Sequence, residues 1–133
     1  MIVVDTNIIC YLYISGEFSE KSEQLLSHTT EWNAPILWRS EFRNVVSQYL
    51  RKNILLSSEA LVIIEQAEQL MHEHEYEVSS ARVIELVQNS DCSAYDCEFV
   101  ALAQDLDVPL ITTDKKILRN FPRTAISINS FLT

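Results

Sequence analysis

A chain of 133 residues, 47% apolar and 22% charged, has the composition of one soluble globular domain, 1–133. It holds no run near the roughly 18 apolar residues a bilayer span needs. Gly16 is the only glycine, which excludes the glycine-rich loops of P-loop and dinucleotide-binding folds, and a net charge of −9 opposes unaided binding to a polyanion.

Ile2-Val3-Val4 is a short, uniformly apolar run of β-favouring residues, the pattern of a central strand covered on both faces. It leads directly into Asp5-Thr6-Asn7 and then a second apolar run, Ile8 to Leu12. Asp5 therefore falls at the carboxyl end of a strand, where open α/β sheets bind ligands. An N-cap role explains the same residue nearly as well, since Asp accepts the free N–H groups of a helix start. The spacing predicts a short helix from Asn7 to Tyr13, ending near Ser15-Gly16. Ser19 is the expected N-cap of a second helix reaching about His28.

Glu31 to Pro35 reads as a short strand closed by proline, and Leu37 to Lys52 as a strong helix with Trp38, Phe42, Val45 and Tyr49 at helical spacing. Glu41 lies on or beside that apolar stripe. An inward carboxylate is costly unless paired or metal-bound, so an ion pair with Arg39 or Arg43 is the bland alternative. Ser57 or Ser58 is expected to cap the next helix, with Leu61, Ile64 and Ala67 inward as far as Met71. His72 and His74 are two apart and do not share a helical face, so a zinc site there is disfavoured. A solvated helix end or a short exposed strand fits better.

A helix from Ser79 to Gln88 is expected to bury Ala81, Val83, Ile84 and Val87. Asp91 to Asp96 opens another, with Ser93 and Asp96 in capping register and Cys97, Val100, Ala101 and Ala103 inward. Val108 to Thr112 reads as a strand that ends, after Thr113, on a further acid, Asp114. Lys115 to Asn120 is a short helix and Ala125 to Ile128 a last edge strand. Cys10, Cys92 and Cys97 are odd in number and lack zinc-type pairing, and the N-terminus lacks a basic leader segment. Free packing thiols in a reducing cytoplasm are the expectation.

Alternating strands and helices predict a three-layer α/β/α domain with a mainly parallel sheet. Right-handed crossovers place all strand ends on one edge, so Asp5 and Asp114 should meet there, with Glu41 and Asp96 nearby. Two charges about 4 Å apart repel by about 4 kcal/mol at an effective dielectric near 20. A hard divalent cation such as Mg²⁺ relieves that conflict and can activate water for phosphodiester cleavage.

Val4-Asp5-Thr6-Asn7, Ser40-Glu41, Tyr95-Asp96 with Ala101 to Ala103, and Thr113-Asp114 together resemble the PIN-domain nucleases, most closely VapC-type toxins. The resemblance spans essentially the whole chain. It implies a Mg²⁺- or Mn²⁺-dependent endoribonuclease cutting single-stranded or structured RNA, tRNA or mRNA, as the toxin of a toxin–antitoxin pair. It further implies Asp5, Glu41, Asp96 and Asp114 as metal-binding acids, Thr6, Asn7 and Thr113 as orienting or water-binding groups, a homodimer and a cognate antitoxin. Arg39, Arg43, Lys115, Lys116 and Arg119 are weaker candidates for holding RNA. Some relatives carry another acid where Lys115 stands, which leaves the number of metals open. Three alternatives remain: a solitary RNA-processing nuclease, a non-enzymatic RNA- or partner-binding domain, and an aspartyl phosphatase. The last would need a second acid where Asn7 stands.

Overall fold

The computed structural model describes residues 1–133 as five strands and eight helices. In chain order these are β1 (Ile2–Val4), α1 (Thr6–Tyr13), α2 (Ser19–His28), β2 (Trp32–Pro35), α3 (Trp38–Arg51), α4 (Ser57–Met71) and β3 (Glu75–Tyr76). Then follow α5 (Ser80–Gln88), α6 (Ala94–Leu106), β4 (Leu110–Thr112), α7 (Lys115–Asn120), β5 (Ala125–Ser127) and α8 (Ile128–Leu132). All strand pairs are parallel, in the order β3-β2-β1-β4-β5. The direction of winding therefore reverses between β1 and β4, and a crevice opens outside their carboxyl ends.

Ile2, Val3 and Val4 are all buried, as a strand covered on both faces requires. α6 crosses β1, β2 and β4 on one face of the sheet, backed by α5. α1 lies over β1 and β4, with α4 over β2 and α8 over β4 and β5. Residues Phe99, Val100, Ala101, Leu102 and Ala103 are consecutive and all buried, so the middle of α6 is apolar around its circumference. Its alanines let it lie close to the strands, and that proximity fixes where its first turn, bearing Asp96, meets the crevice. With one glycine available, left-handed backbone falls to other residues. Asp107 at φ 55° ends α6 and Asn53 at φ 59° follows α3, both types that tolerate this conformation.

Several local expectations are corrected. Ser19 is the first residue of α2 rather than its cap; its Oγ accepts from Gly16 N at 2.9 Å and donates to Ile14 O at 3.1 Å, holding the preceding turn. Neither Ser57 nor Ser58 caps α4. Leu56 is the N-cap, and its N–H donates to Glu59 Oε1 at 2.8 Å. In α5 the buried positions are Val83 and Leu86, while Ala81 and Ile84 face outward. Leu61 is exposed on α4. Ile128 begins α8 instead of ending β5, because Ser127 Oγ accepts from Ser130 N and starts a helix. Cys10, Cys92 and Cys97 are free and buried.

Candidate active site

Asp5 both caps a helix and lines the crevice at the carboxyl end of β1. It is the N-cap of α1, Oδ1 accepting from Thr6 N at 2.8 Å, while Oδ2 accepts from Thr112 Oγ1 at 2.7 Å. Thr112 is wholly buried at the end of β4, and its Oγ1 also accepts from Asp114 N at 3.0 Å. One hydroxyl thus ties the acid after β1 to the acid after β4. Asp114 caps α7, accepting from Lys116 N at 2.8 Å and Ile117 N at 3.1 Å. Glu41 stands in the first turn of α3, and its Oε1 accepts from Thr6 Oγ1 at 2.7 Å. Asp96 stands in the first turn of α6, its N–H donating to Ser93 Oγ at 3.1 Å.

All four acids therefore lie at a helix start, where the positive end of the helix dipole favours a carboxylate. Asp5, Glu41, Asp96 and Asp114 line one cavity of about 220 Å³, together with Thr6, Asn7, Asn44 and Val45. The alternative partners of Glu41 are engaged elsewhere. Arg39 is bidentate to Glu75, at 2.5 and 2.8 Å, and also reaches Glu68, as does Arg43 at 3.8 Å. Lys115, Lys116 and Arg119 lie exposed on α7, adjoining Asp114.

Burial first, and then mutual repulsion, raises the proton affinity of Asp5, Glu41 and Asp96. Burial pushes the Asp5 carboxyl up to about 6, the bonds from Thr112 and Thr6 pull it back, and the charges of Glu41 and Asp96 raise it further. Glu41 is raised chiefly by burial and also by Asp96, and Asp96 by burial and then by Asp114. Cys10, behind the cavity, is pushed up to about 12 by burial and by Asp5 and Glu41, so its thiol stays neutral.

The donor set is oxygen only, carboxylate with hydroxyl and amide, which suits a hard divalent cation rather than a soft metal. No three His, Cys, Asp or Glu side chains form a ready-made ligand shell. The cavity of about 220 Å³ instead has the volume of about seven liquid waters, room for a cation that keeps part of its hydration.

Comparison with known proteins decides the family. The PIN domain family model matches residues 2–124. The chain belongs to the PIN domain family. Among curated relatives, Ribonuclease VapC3 of Pyrobaculum aerophilum is 27% identical over 124 residues, spanning 91% of this chain and 95% of that protein. A toxin–antitoxin complex from Klebsiella pneumoniae contains a chain of similar fold, with TM-score 0.68 and 18% identity, covering 96% of this chain and 98% of that one. FitAcB from Neisseria gonorrhoeae gives TM-score 0.76 at 15% identity, with 96% and 98% covered.

Within this PIN domain, Thr6 orients Glu41, and Asn7 lines the acid cavity. Thr113 is turned the other way, its Oγ1 lying 3.0 Å from Tyr11 Oη. The residue that sequence reasoning missed is Thr112. Side chains alternate along a strand, so Thr112 and Thr113 must point to opposite faces, and that alternation was the available signal.

Proposed function

We propose that this PIN domain is a divalent-metal-dependent endoribonuclease, the toxin of a toxin–antitoxin pair. The single observation carrying the reading is the convergence of Asp5, Glu41, Asp96 and Asp114 on one cavity at the switch point of the sheet. Asp5, Glu41, Asp96 and Asp114 would hold Mg²⁺ or Mn²⁺. A cation so bound supplies Lewis acidity and lowers the pKa of water. The protein's own groups prepare that chemistry. Thr6 and Thr112 hold Glu41 and Asp5 by hydrogen bonds, so the carboxylates need little reorganisation on binding. Asn7, which lines the cavity, would orient water or a substrate oxygen.

Lys115, Lys116 and Arg119 supply positive charge beside Asp114 and can hold the RNA backbone; Arg39 and Arg43, partly neutralised by Glu68 and Glu75, contribute less. The relatives named above support a ribonuclease activity and a cognate antitoxin; a homodimer is the assembly this reading expects. A cytoplasmic location accords with three free cysteines and with the lack of any helix long and apolar enough to cross a membrane.

The purified protein is expected to cut RNA internally with Mg²⁺ or Mn²⁺ and to stop on chelation. Gel analysis of labelled tRNA and mRNA checks this. Cutting undiminished in excess EDTA would overturn the metal-dependent reading.

A further inference from the structure

A second pocket adjoins the acids. It has a volume of about 330 Å³ and is lined in part by Asn7, Cys10, Tyr11, Phe18, Val45 and Tyr49. Asn7 and Val45 also line the acid cavity, so the two spaces share a wall. The sharing follows from helical spacing. Glu41, Val45 and Tyr49 are four residues apart along α3, and Asn7 and Tyr11 are four apart along α1, so one stripe runs from acid to aromatic on α3 and one from amide to aromatic on α1. One turn, about 5.4 Å, separates successive members of each stripe.

The aromatic rings are only half-buried, although Tyr11 and Phe18 also pack against the core. Tyr11 and Phe18 hold their rings 5.1 Å apart at 32°, and the Tyr11 hydroxyl is anchored on Thr113. The rim is open at Gly16, where a Cβ would meet nothing within 4 Å. The volume lies at the lower end of the roughly 300–1,000 Å³ typical of small-ligand pockets.

We propose that this pocket is a base-binding subsite: it takes one unstacked nucleobase of an RNA strand whose neighbouring phosphate lies at the four acids. The inference rests on the nuclease reading and adds to it where the strand is gripped. Proteins recognise single-stranded RNA by stacking splayed bases on aromatic side chains. Stacking also carries no charge. For a chain of net charge −9 it provides affinity that phosphate contacts alone would not.

The test uses an Asp96→Asn variant to hold RNA uncut, with 2-aminopurine placed at successive positions of a single-stranded oligoribonucleotide. Fluorescence is expected to be quenched at one position beside the cleavage site and restored by adding Phe18→Leu or Tyr49→Leu. In the otherwise wild-type protein, an abasic nucleotide at that position should lower kcat/KM about tenfold, and Tyr49→Leu should remove the difference between abasic and intact substrates. Thermal melts of each variant confirm that it is folded. RNA cut normally with no quench, or with a quench that both substitutions leave unchanged, overturns the subsite and spares the nuclease. Quench without cutting by the wild-type protein keeps the subsite and removes the nuclease. Unchanged RNA behaviour with lost affinity for a protein partner assigns the pocket to that partner and overturns the proposal.

Discussion

Replacing Asp5 by asparagine is expected to lower RNA cleavage about 10²- to 10³-fold while making the metal-free protein more stable at neutral pH. The loss would follow from removing one of the four charges proposed to hold the cation. The gain follows from linkage. Asp5 has its carboxyl raised from 3.8 to about 6 in the folded state, chiefly by burial. Such a group favours the fold fully below about pH 4, and that contribution is lost as pH rises through about 6. About two pKa units correspond to about 3 kcal/mol. Asparagine removes the charge but weakens the bond from Thr112, which costs about 1 kcal/mol. The net expectation is about 2 kcal/mol in favour of the variant at pH 7, and near zero or slightly negative at pH 4. Urea titrations at the two pH values, beside a cleavage assay, read both effects. A variant destabilised at pH 7 would mean that Asp5 serves the fold as a cap and little else.

Divalent cations should reverse that cost in the unaltered protein. A ligand at 100 times its Kd stabilises the state it binds by about 2.7 kcal/mol. For a domain of this size, that is a rise in Tm of roughly 10 °C on adding Mn²⁺ or Mg²⁺. The same addition should favour the ionised forms of Asp5, Glu41 and Asp96 and flatten the fall in stability between pH 4 and 6. Asp96→Asn should reduce the shift to a few degrees. Differential scanning calorimetry measures it; an equal rise in the variant would place the cation elsewhere on an acidic surface.

How much of this was legible in the chain depended on whether a feature was local. Asp5 and Asp114 were readable because each ends a short apolar run, and a parallel sheet brings strand ends together. Glu41 and Asp96 were harder, since capping and ion pairing explained them equally well until they met in one cavity. The structure removes the ion-pair alternative by binding Arg39 to Glu75, a residue of β3 far along the chain. Only strand alternation distinguishes Thr112, bonded to Asp5, from Thr113, bonded to Tyr11, and the short motif Thr113-Asp114 carries no such alternation. In α5 the run Ala81-Arg82-Val83-Ile84-Glu85-Leu86-Val87 places apolar residues on several faces, so periodicity did not distinguish Val83 and Leu86 from Ala81 and Ile84. The aromatic pocket had no local signal. Tyr11 and Phe18 come from one end of the chain and Tyr49 from the next long helix, and packing alone makes them neighbours.

Anomalous scattering from crystals soaked in Mn²⁺ would locate a cation shared by these four carboxylates. A peak is expected inside the cavity bounded by Asp5, Glu41, Asp96 and Asp114, lost in Asp96→Asn crystals. An active protein whose manganese lies outside that cavity, or is retained unchanged by the variant, would contradict it.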